Sequence, residues 1–262
     1  MTLQYVVDIY TASTAVIFTI FFPKCYVHLF PVFRFKQGVK EMAQQRGLHA
    51  NFMTMPSTDG CGSAAHFNHS VWCKTSGDNA MYDPAKEDNL SDLARHWIAG
   101  LVKHTNALTA LCSPTVNCYR RLHGVWVPNT ASWGIDDRVA TFRVKNYSNS
   151  ATYVENRLAT GPCNPYLVIA GCIAAGIDGI VNHLECPPKS QDNAPKVPFT
   201  LEEALQALES DTVMVEALGK QFVEWYCETK RQIDIKKLQG SVMDKPDPEA
   251  IQKEVDMYGK YM

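Results

Sequence analysis

Glu155 and Arg157 stand two residues apart in the segment YVENR, and in an extended segment both side chains leave the same face. A carboxylate and a guanidinium side by side can hold a divalent metal and a phosphoryl group together. Upstream, AAHFNHSVW alternates, so His66, Asn68 and Ser70 share one face while Phe67, His69 and Val71 share the other. Arg120, Arg121, Arg138 and Arg143 add guanidiniums in or beside segments that read as extended. Arginine in such places suits bidentate recognition of carboxylate and phosphate, although for any single one a surface ion pair is the readier explanation. E-x-R and H-x-N-x-S are each also compatible with a satisfied hydrogen-bond network.

The chain that must position these groups has 262 residues, 46% hydrophobic and 20% charged, which suits one large domain with a sizeable core. Twenty-five Lys+Arg against 27 Asp+Glu give a formal charge of -2, so no field gathers nucleic acid or an anionic membrane; neither is expected as a partner. Nine cysteines, an odd number with no C-x-x-C pair, fit neither a disulfide framework nor a structural zinc site. Buried thiols in a reducing cytoplasm are the expectation. Residues 9–23 are uncharged and apolar, but fall short of the roughly 20 residues of a spanning helix, and no basic region precedes them. Neither an anchor nor a secretion signal is expected. Residues 1–33 form an apolar leader unlike the rest, with Asp8 the single acid before Glu41.

From residue 38 a short helix runs to a stop at Gly47, followed by an extended run, LHANFMTM. The spacing of Leu90, Leu93, Ala94, Trp97, Ile98, Leu101, Val102 and Leu108 predicts an amphipathic helix capped by Asn89 or Ser91. Short strands are predicted over 119–122, 139–144 and 153–158. Asn164-Pro165 opens a helix without a polar face, which should be buried on every side; Thr200–Glu203 is a capping box; and Val213–Leu238 reads as one long amphipathic stretch. Residues 189–197 read as a polar surface loop.

Several blocks, in order, resemble the glutamine synthetase family: KEMAQQRGLHANFMTMP, GSAAHFNHSVW, NCYRRL, WGIDDRVATFRV, YVENRL, NPYLVIAGCIAAGIDGI and VPFTLEEALQALESD. The resemblance covers residues 34–262, the family's C-terminal catalytic portion. It implies an α+β fold, a curved antiparallel sheet backed by helices, with the arginines on its concave face. It also implies ATP-dependent amide formation. ATP phosphorylates the γ-carboxylate of glutamate, then ammonia or an amine displaces phosphate, with Mg or Mn bridging phosphate oxygens. Carried over by motif, His66 and Glu155 match metal ligands, and Asn68, Ser70 and Arg143 match nucleotide contacts. Arg121 matches the clamp on the substrate's carboxylate, with Gly62 near the amino acid. Arg138 and Arg157 match catalytic arginines beside the phosphate and the metal. Family sites form between subunits, so a homo-oligomer is implied.

The departures matter as much. The family's small N-terminal domain and its upstream metal-binding glutamates have no counterpart. Where the family's flap carries a glutamate that closes over the intermediate and helps deprotonate ammonium, this sequence has Trp126 and Val127. WGIDDR is similar to ligases that take amines larger than ammonia, whereas AAHFNHS and the MYGKYM ending incline toward a branch resembling the lens protein lengsin. That branch implies a non-catalytic role and a cytoskeletal, intermediate-filament partner. The expectation is a glutamate–ammonia or glutamate–amine ligase impaired in the chain as it stands, with the scaffold as alternative.

Overall fold

The computed structural model describes residues 32–57, 62–122, 124, 127–189, 193–238 and 247–259, with the backbone alone of 2–10, 18–22 and 29–31. Six strands, β1 (Thr2–Tyr10), β2 (Phe18–Phe22), β3 (Ala64–Trp72), β4 (Trp133–Ile135), β5 (Phe142–Asn146) and β6 (Thr152–Asn156), form one sheet in the order β2-β1-β3-β6-β5-β4. Neighbours run antiparallel except β4 and β5. The sheet is therefore mixed, not antiparallel throughout. Asp136, at φ 53, turns the chain after β4, and Phe142 N–H returns to Ser132 C=O, so β5 restarts alongside β4 in the same direction.

One face of the sheet is apolar and covered by helices. Phe67, Val71, Phe142, Val144 and Val154 are buried there, Trp97 Nε1 donates to His69 Nε2 (2.9 Å), and Asn156 Nδ2 donates to the thiols of Cys112 and Cys172. Over it lie α2 (Asp92–Lys103), α3 (Thr105–Cys112) and α5 (Pro165–Val181), with α6 (Leu201–Ser210), α7 (Thr212–Leu218) and α8 (Lys220–Lys230) outside them. The caps are chemical stops: Ser91, Asn164, Thr200 and Asp211 accept the orphan N–H groups of α2, α5, α6 and α7. The seven described cysteines are free thiols; five are buried, and burial pushes Cys163 and Cys172 up to about 12.

Several sequence expectations change. The predicted strand at 119–122 is helix α4 (Val116–Leu122), a segment too short for a 3.6-residue period to declare itself. LHANFMTM contributes no strand, and the strand predicted at 139–144 starts at Phe142 because Arg138–Thr141 are bends. The stretch Val213–Leu238 breaks at Gly219 (φ 92), and α8 then continues as a π-helical turn, Arg231–Ile235. Helix α5 leaves Ile177 and Val181 exposed. The helix expected from residue 38 begins nine residues earlier, as α1 (Leu29–Gln44), and stops at the expected left-handed Gly47, while the alternating strand at 64–72 is β3.

Helices α2 and α5 meet through small residues. A Cβ on Gly100 would strike the Ala175 carbonyl, one on Gly179 the His96 carbonyl, and one on Gly176 the Trp97 indole. Gly→Ala in an open helix position stabilises, so the sign of the effect tests this contact. Gly100→Ala should lower stability by about 1–3 kcal/mol through overpacking, whereas Gly38→Ala in α1, with nothing within 4 Å of the new Cβ, should raise it by about 0.5–1 kcal/mol. Chemical denaturation of both variants checks the pair.

The α2–α3 junction holds a second constraint. His104 is buried, its Nδ1 facing Asp211 (2.5 Å) and its Nε2 facing Asp178 (3.0 Å), while Lys103 Nζ also reaches Asp178 (2.9 Å). Two carboxylates on two ring nitrogens call for an imidazolium. Burial pulls the His104 pKa down, but the hydrogen bonds to Asp211 and Asp178 outweigh it and leave the pKa raised. A group charged more readily in the folded state contributes its stability fully below its unfolded pKa, near 6.5, and loses it as pH rises through the higher folded value. Melting temperature should therefore fall as pH is raised from 6.5 into the alkaline range, and the fall should be shallower in His104→Gln; superimposable profiles would refute the clamp.

Candidate active site

The other face of the sheet is polar because register and parity put its charged side chains together. On β3 that face carries His66, Asn68 and Ser70; Asn68 is opposite Glu155 on β6, and Glu155 is opposite Arg143 on β5. Gly134 of β4 lies opposite Arg143, so no side chain from that strand crowds the guanidinium. Just beyond β6, Arg157 extends the same alternation, anchored by its N–H on Thr141 C=O.

Glu155 is the centre. One carboxylate oxygen meets His66 Nδ1 at 2.8 Å and Arg157 Nη1 at 2.9 Å, and the other meets Arg143 Nη1 at 3.2 Å. Burial pushes the Glu155 carboxyl up, but His66, Arg157 and Arg143 overcome it and hold it at about 2. Burial lowers His66 to about 4, the Arg157 and Arg121 charges adding to that effect against the opposing hydrogen bond to Glu155. The His66–Glu155 contact has the distance of a salt bridge, yet at neutral pH it is a neutral imidazole donating to a carboxylate.

Arg121 approaches from α4. It is buried, its Nη2 donates to Arg157 C=O (3.2 Å), and its Nη1 has no hydrogen-bond partner; Arg157 Nε is in the same condition. Burial and the neighbouring Arg157 lower the Arg121 pKa to about 10, so it remains charged. Gly62 lies on the stem of Arg121: a Cβ there would sit 3.1 Å from Arg121 Cγ.

Not every predicted residue joins this cluster. Arg138 is exposed on the bend after β4, and no described hydrogen bond or ion pair links it to Glu155, Arg143 or Arg157. Ser70 Oγ accepts from Trp72 Nε1 (2.8 Å) on its own strand. Arg120, grouped with the other arginines by sequence, makes a buried ion pair instead, with Glu254 of α9 (Pro248–Tyr258; 2.6 Å). Trp126 lies outside the described residues, and Val127 is half-buried. Asp8, the lone acid of the leader, is opposite His66 in the β1–β3 register. Sequence reading missed Asp136, which receives Arg143, Lys145 and Tyr147; the period-two run Arg143-Val-Lys145-Asn-Tyr147 signals the donors but not their acceptor.

The donor chemistry fits one hard ion. His66 is neutral at physiological pH, and to ligate an ion through Nδ1 it would give up the hydrogen bond it now donates to Glu155 Oε1 at 2.8 Å, the proton moving to Nε2. Among the described residues no group of three His, Cys, Asp or Glu side chains could hold a metal, so the other positions would belong to water and phosphate oxygens.

Comparison with known proteins identifies the family. Residues 31–246 match the pattern of the glutamine synthetase catalytic domain. The chain is 37% identical over 211 residues to the glutamine synthetase of Thermus thermophilus and 38% over 215 residues to that of Methanocaldococcus jannaschii, covering 75% and 76% of this chain and 47% of each relative. It thus spans about half the length of these relatives. A type-1 glutamine synthetase of Dictyostelium discoideum is 31% identical over 208 residues, covering 75% of this chain and 40% of the relative. Among solved structures, a GmaS/ADP complex superposes with a TM-score of 0.79 at 25% identity, covering 88% of this chain and 69% of that one. A glutamine synthase homologue superposes at 0.83, covering 98% and 71%; at 20% identity it speaks for the fold alone.

Proposed function

Because the chain belongs to the glutamine synthetase family through its catalytic domain, we propose that it carries the phosphoryl-transfer face of an ATP-dependent ligase joining glutamate to ammonia or an amine. The observation that carries this reading is the buried Arg121–Arg157 pair, with N–H groups left over beside an already occupied Glu155. Unmatched buried guanidinium donors are costly unless an anion uses them. In this reading residues 34–262 are the catalytic region, acting in the cytoplasm.

In the first step a γ-carboxylate oxygen of glutamate attacks the terminal phosphorus of ATP and the bond to ADP breaks. In the second, the amine nitrogen attacks the acyl carbon, phosphate leaves, and the amine gives up a proton. Arg121, with Gly62 allowing close approach, grips the substrate carboxylate; Arg143, Asn68 and Ser70 take the nucleotide; Arg138 and Arg157 oppose the charge that grows on the phosphoryl group. His66 and Glu155 would hold one Mg or Mn ion, which supplies charge neutralisation between phosphate oxygens.

A second reading, a non-catalytic scaffold of the lengsin-like kind with a cytoskeletal partner, is favoured by one observation: an apolar Val127 where the family's flap glutamate is expected. The relatives compared above are glutamine synthetases and give the lengsin-like branch no support.

Binding separates these readings. Calorimetry should show ADP binding that weakens about tenfold in Arg143→Ala, while Arg121→Ala loses glutamate binding and keeps ADP affinity within about twofold. No ADP binding by the parent chain would sink the ligase reading. Turnover, measured as ADP release with glutamate, ammonium or methylamine and manganese, should stay near a Glu155→Ala blank, because each missing electrostatic element costs ~2.7–4 kcal/mol of barrier. A rate far above the blank would mean that donors arrive from a second subunit and would exclude the scaffold.

The same reading makes the chain a homo-oligomer, because a sheet that ends in strand β2 keeps an edge able to pair with another chain. Sedimentation velocity at micromolar concentration should show species heavier than 29.3 kDa; a single well-folded monomer would count against it.

A further inference from the structure

Arg143, Lys145 and Tyr147 follow one another at period two on β5 and its extension, so all three project from the polar face. Their free ends converge on one group, the carboxylate of Asp136: Arg143 through Nε (3.0 Å) and Nη2, Lys145 through Nζ and Tyr147 through its hydroxyl. Lys145 Nζ also touches Tyr147 OH (3.2 Å), which ties the donors to one another. Two of the donors are better covered than the acceptor: the side chains of Arg143 and Lys145 are 15% and 13% exposed and that of Asp136 42%, while Tyr147 stands on the solvent side, 61% exposed. Asp136 reaches them from a left-handed backbone (φ 53), a conformation that Asp and Asn tolerate better than most residues.

A guanidinium, an ammonium and a phenol aimed at one point are the donor set of a phosphoryl site, since a phosphoryl group offers three acceptor oxygens where a carboxylate offers two. Arg143 also spans from this cradle to Glu155 (3.2 Å), joining it to the centre of the active face. We propose that Arg143, Lys145 and Tyr147 form an anion cradle for a phosphoryl group, and that Asp136 fills it as an internal competitor which the incoming anion displaces. The cradle rests on the ligase reading only for the identity of the phosphoryl carrier, a nucleotide. Two further observations fit. Hydrogen bonds from Lys145, Tyr147 and Arg143 hold the Asp136 carboxyl well below the usual carboxylate range, and bonds to Asp136 raise Arg143 and Lys145 against the opposing effect of burial. Asp136 thus stays an anion, and the cradle stays cationic, across the physiological range.

The test is the sign of a charge deletion. Asp136→Asn keeps the size, the left-handed preference and one acceptor oxygen, but removes the competing charge. Calorimetric titration with inorganic phosphate and with ADP, at fixed ionic strength, should show about tenfold tighter binding in Asp136→Asn than in the parent chain. The gain should vanish in Asp136→Asn/Lys145→Met. If Asp136 merely positions Arg143, the same variant binds equally or more weakly, and that result, or no binding to either form at millimolar ligand, overturns the proposal. Should Asp136→Asn fail to fold, Lys145→Met in the parent chain decides: weaker phosphate binding supports the cradle, unchanged binding overturns it. Phosphate tightened without ADP binding would leave the cradle standing and remove the nucleotide reading. ADP bound by the parent chain but not tightened by Asp136→Asn would do the reverse.

Discussion

A single buried carboxylate among guanidiniums governs this structure. Glu155 answers Arg143 and Arg157 directly and His66 through a neutral hydrogen bond, and Arg121 is drawn in behind Arg157. Asp136 takes the outer side of Arg143, which leaves Arg121 and Arg157 as the guanidiniums in excess of Glu155, and both are buried, where solvent does little to screen them. Such a cluster persists because the fold holds it, and it is arranged to receive anions. The three strands that meet at Glu155 must therefore keep their registers, since a slip of one residue would send every one of these side chains into the helix layer.

The opposite face explains how the registers are kept. Phe67, Phe142 and Val144 alternate with the site residues along the same strands, and the helices that bury them are themselves in tight contact through Gly100, Gly176 and Gly179. Asn156, between Glu155 and Arg157, donates to two cysteine thiols on α3 and α5. Each residue of the Glu-Asn-Arg triplet thus belongs alternately to chemistry and to packing. The π-helical turn after α8 works in the same way at a distance: it delivers the buried Asp234 to Lys230 and to Tyr258 of α9.

What could be read in the sequence follows from which interactions are local. The parity of His66-Asn68-Ser70 and of Glu155-Arg157 is a property of any strand, so the face was legible before the fold. The helix at Val116–Leu122 was not, because seven residues fix neither period, and it carries two arginines with opposite fates. Asp136 was illegible for another reason. Its role depends on a turn that makes β4 and β5 parallel, and no local pattern announces a parallel pair joined by so short a connection. The motif resemblance supplied the roles of Arg121 and Gly62, whose contact joins residues 59 positions apart in sequence.

Those two neighbouring arginines show how the periphery sets the site. Successive residues on a helix point about 100° apart, so if Arg121 faces the sheet, Arg120 must face elsewhere. It faces α9, where Glu254 takes Arg120 and Asn117 Nδ2 together; Asn117 also receives the Met55 N–H and donates to the Met55 carbonyl. These bonds fix the rotation of α4 about its own axis. Without them, a seven-residue helix with no side-chain cap described would have little to resist turning, and Arg121 would lose its line to Arg157. The ion pair at Glu254 touches no part of the polar face, yet it aims the guanidinium on which recognition of a carboxylate would depend.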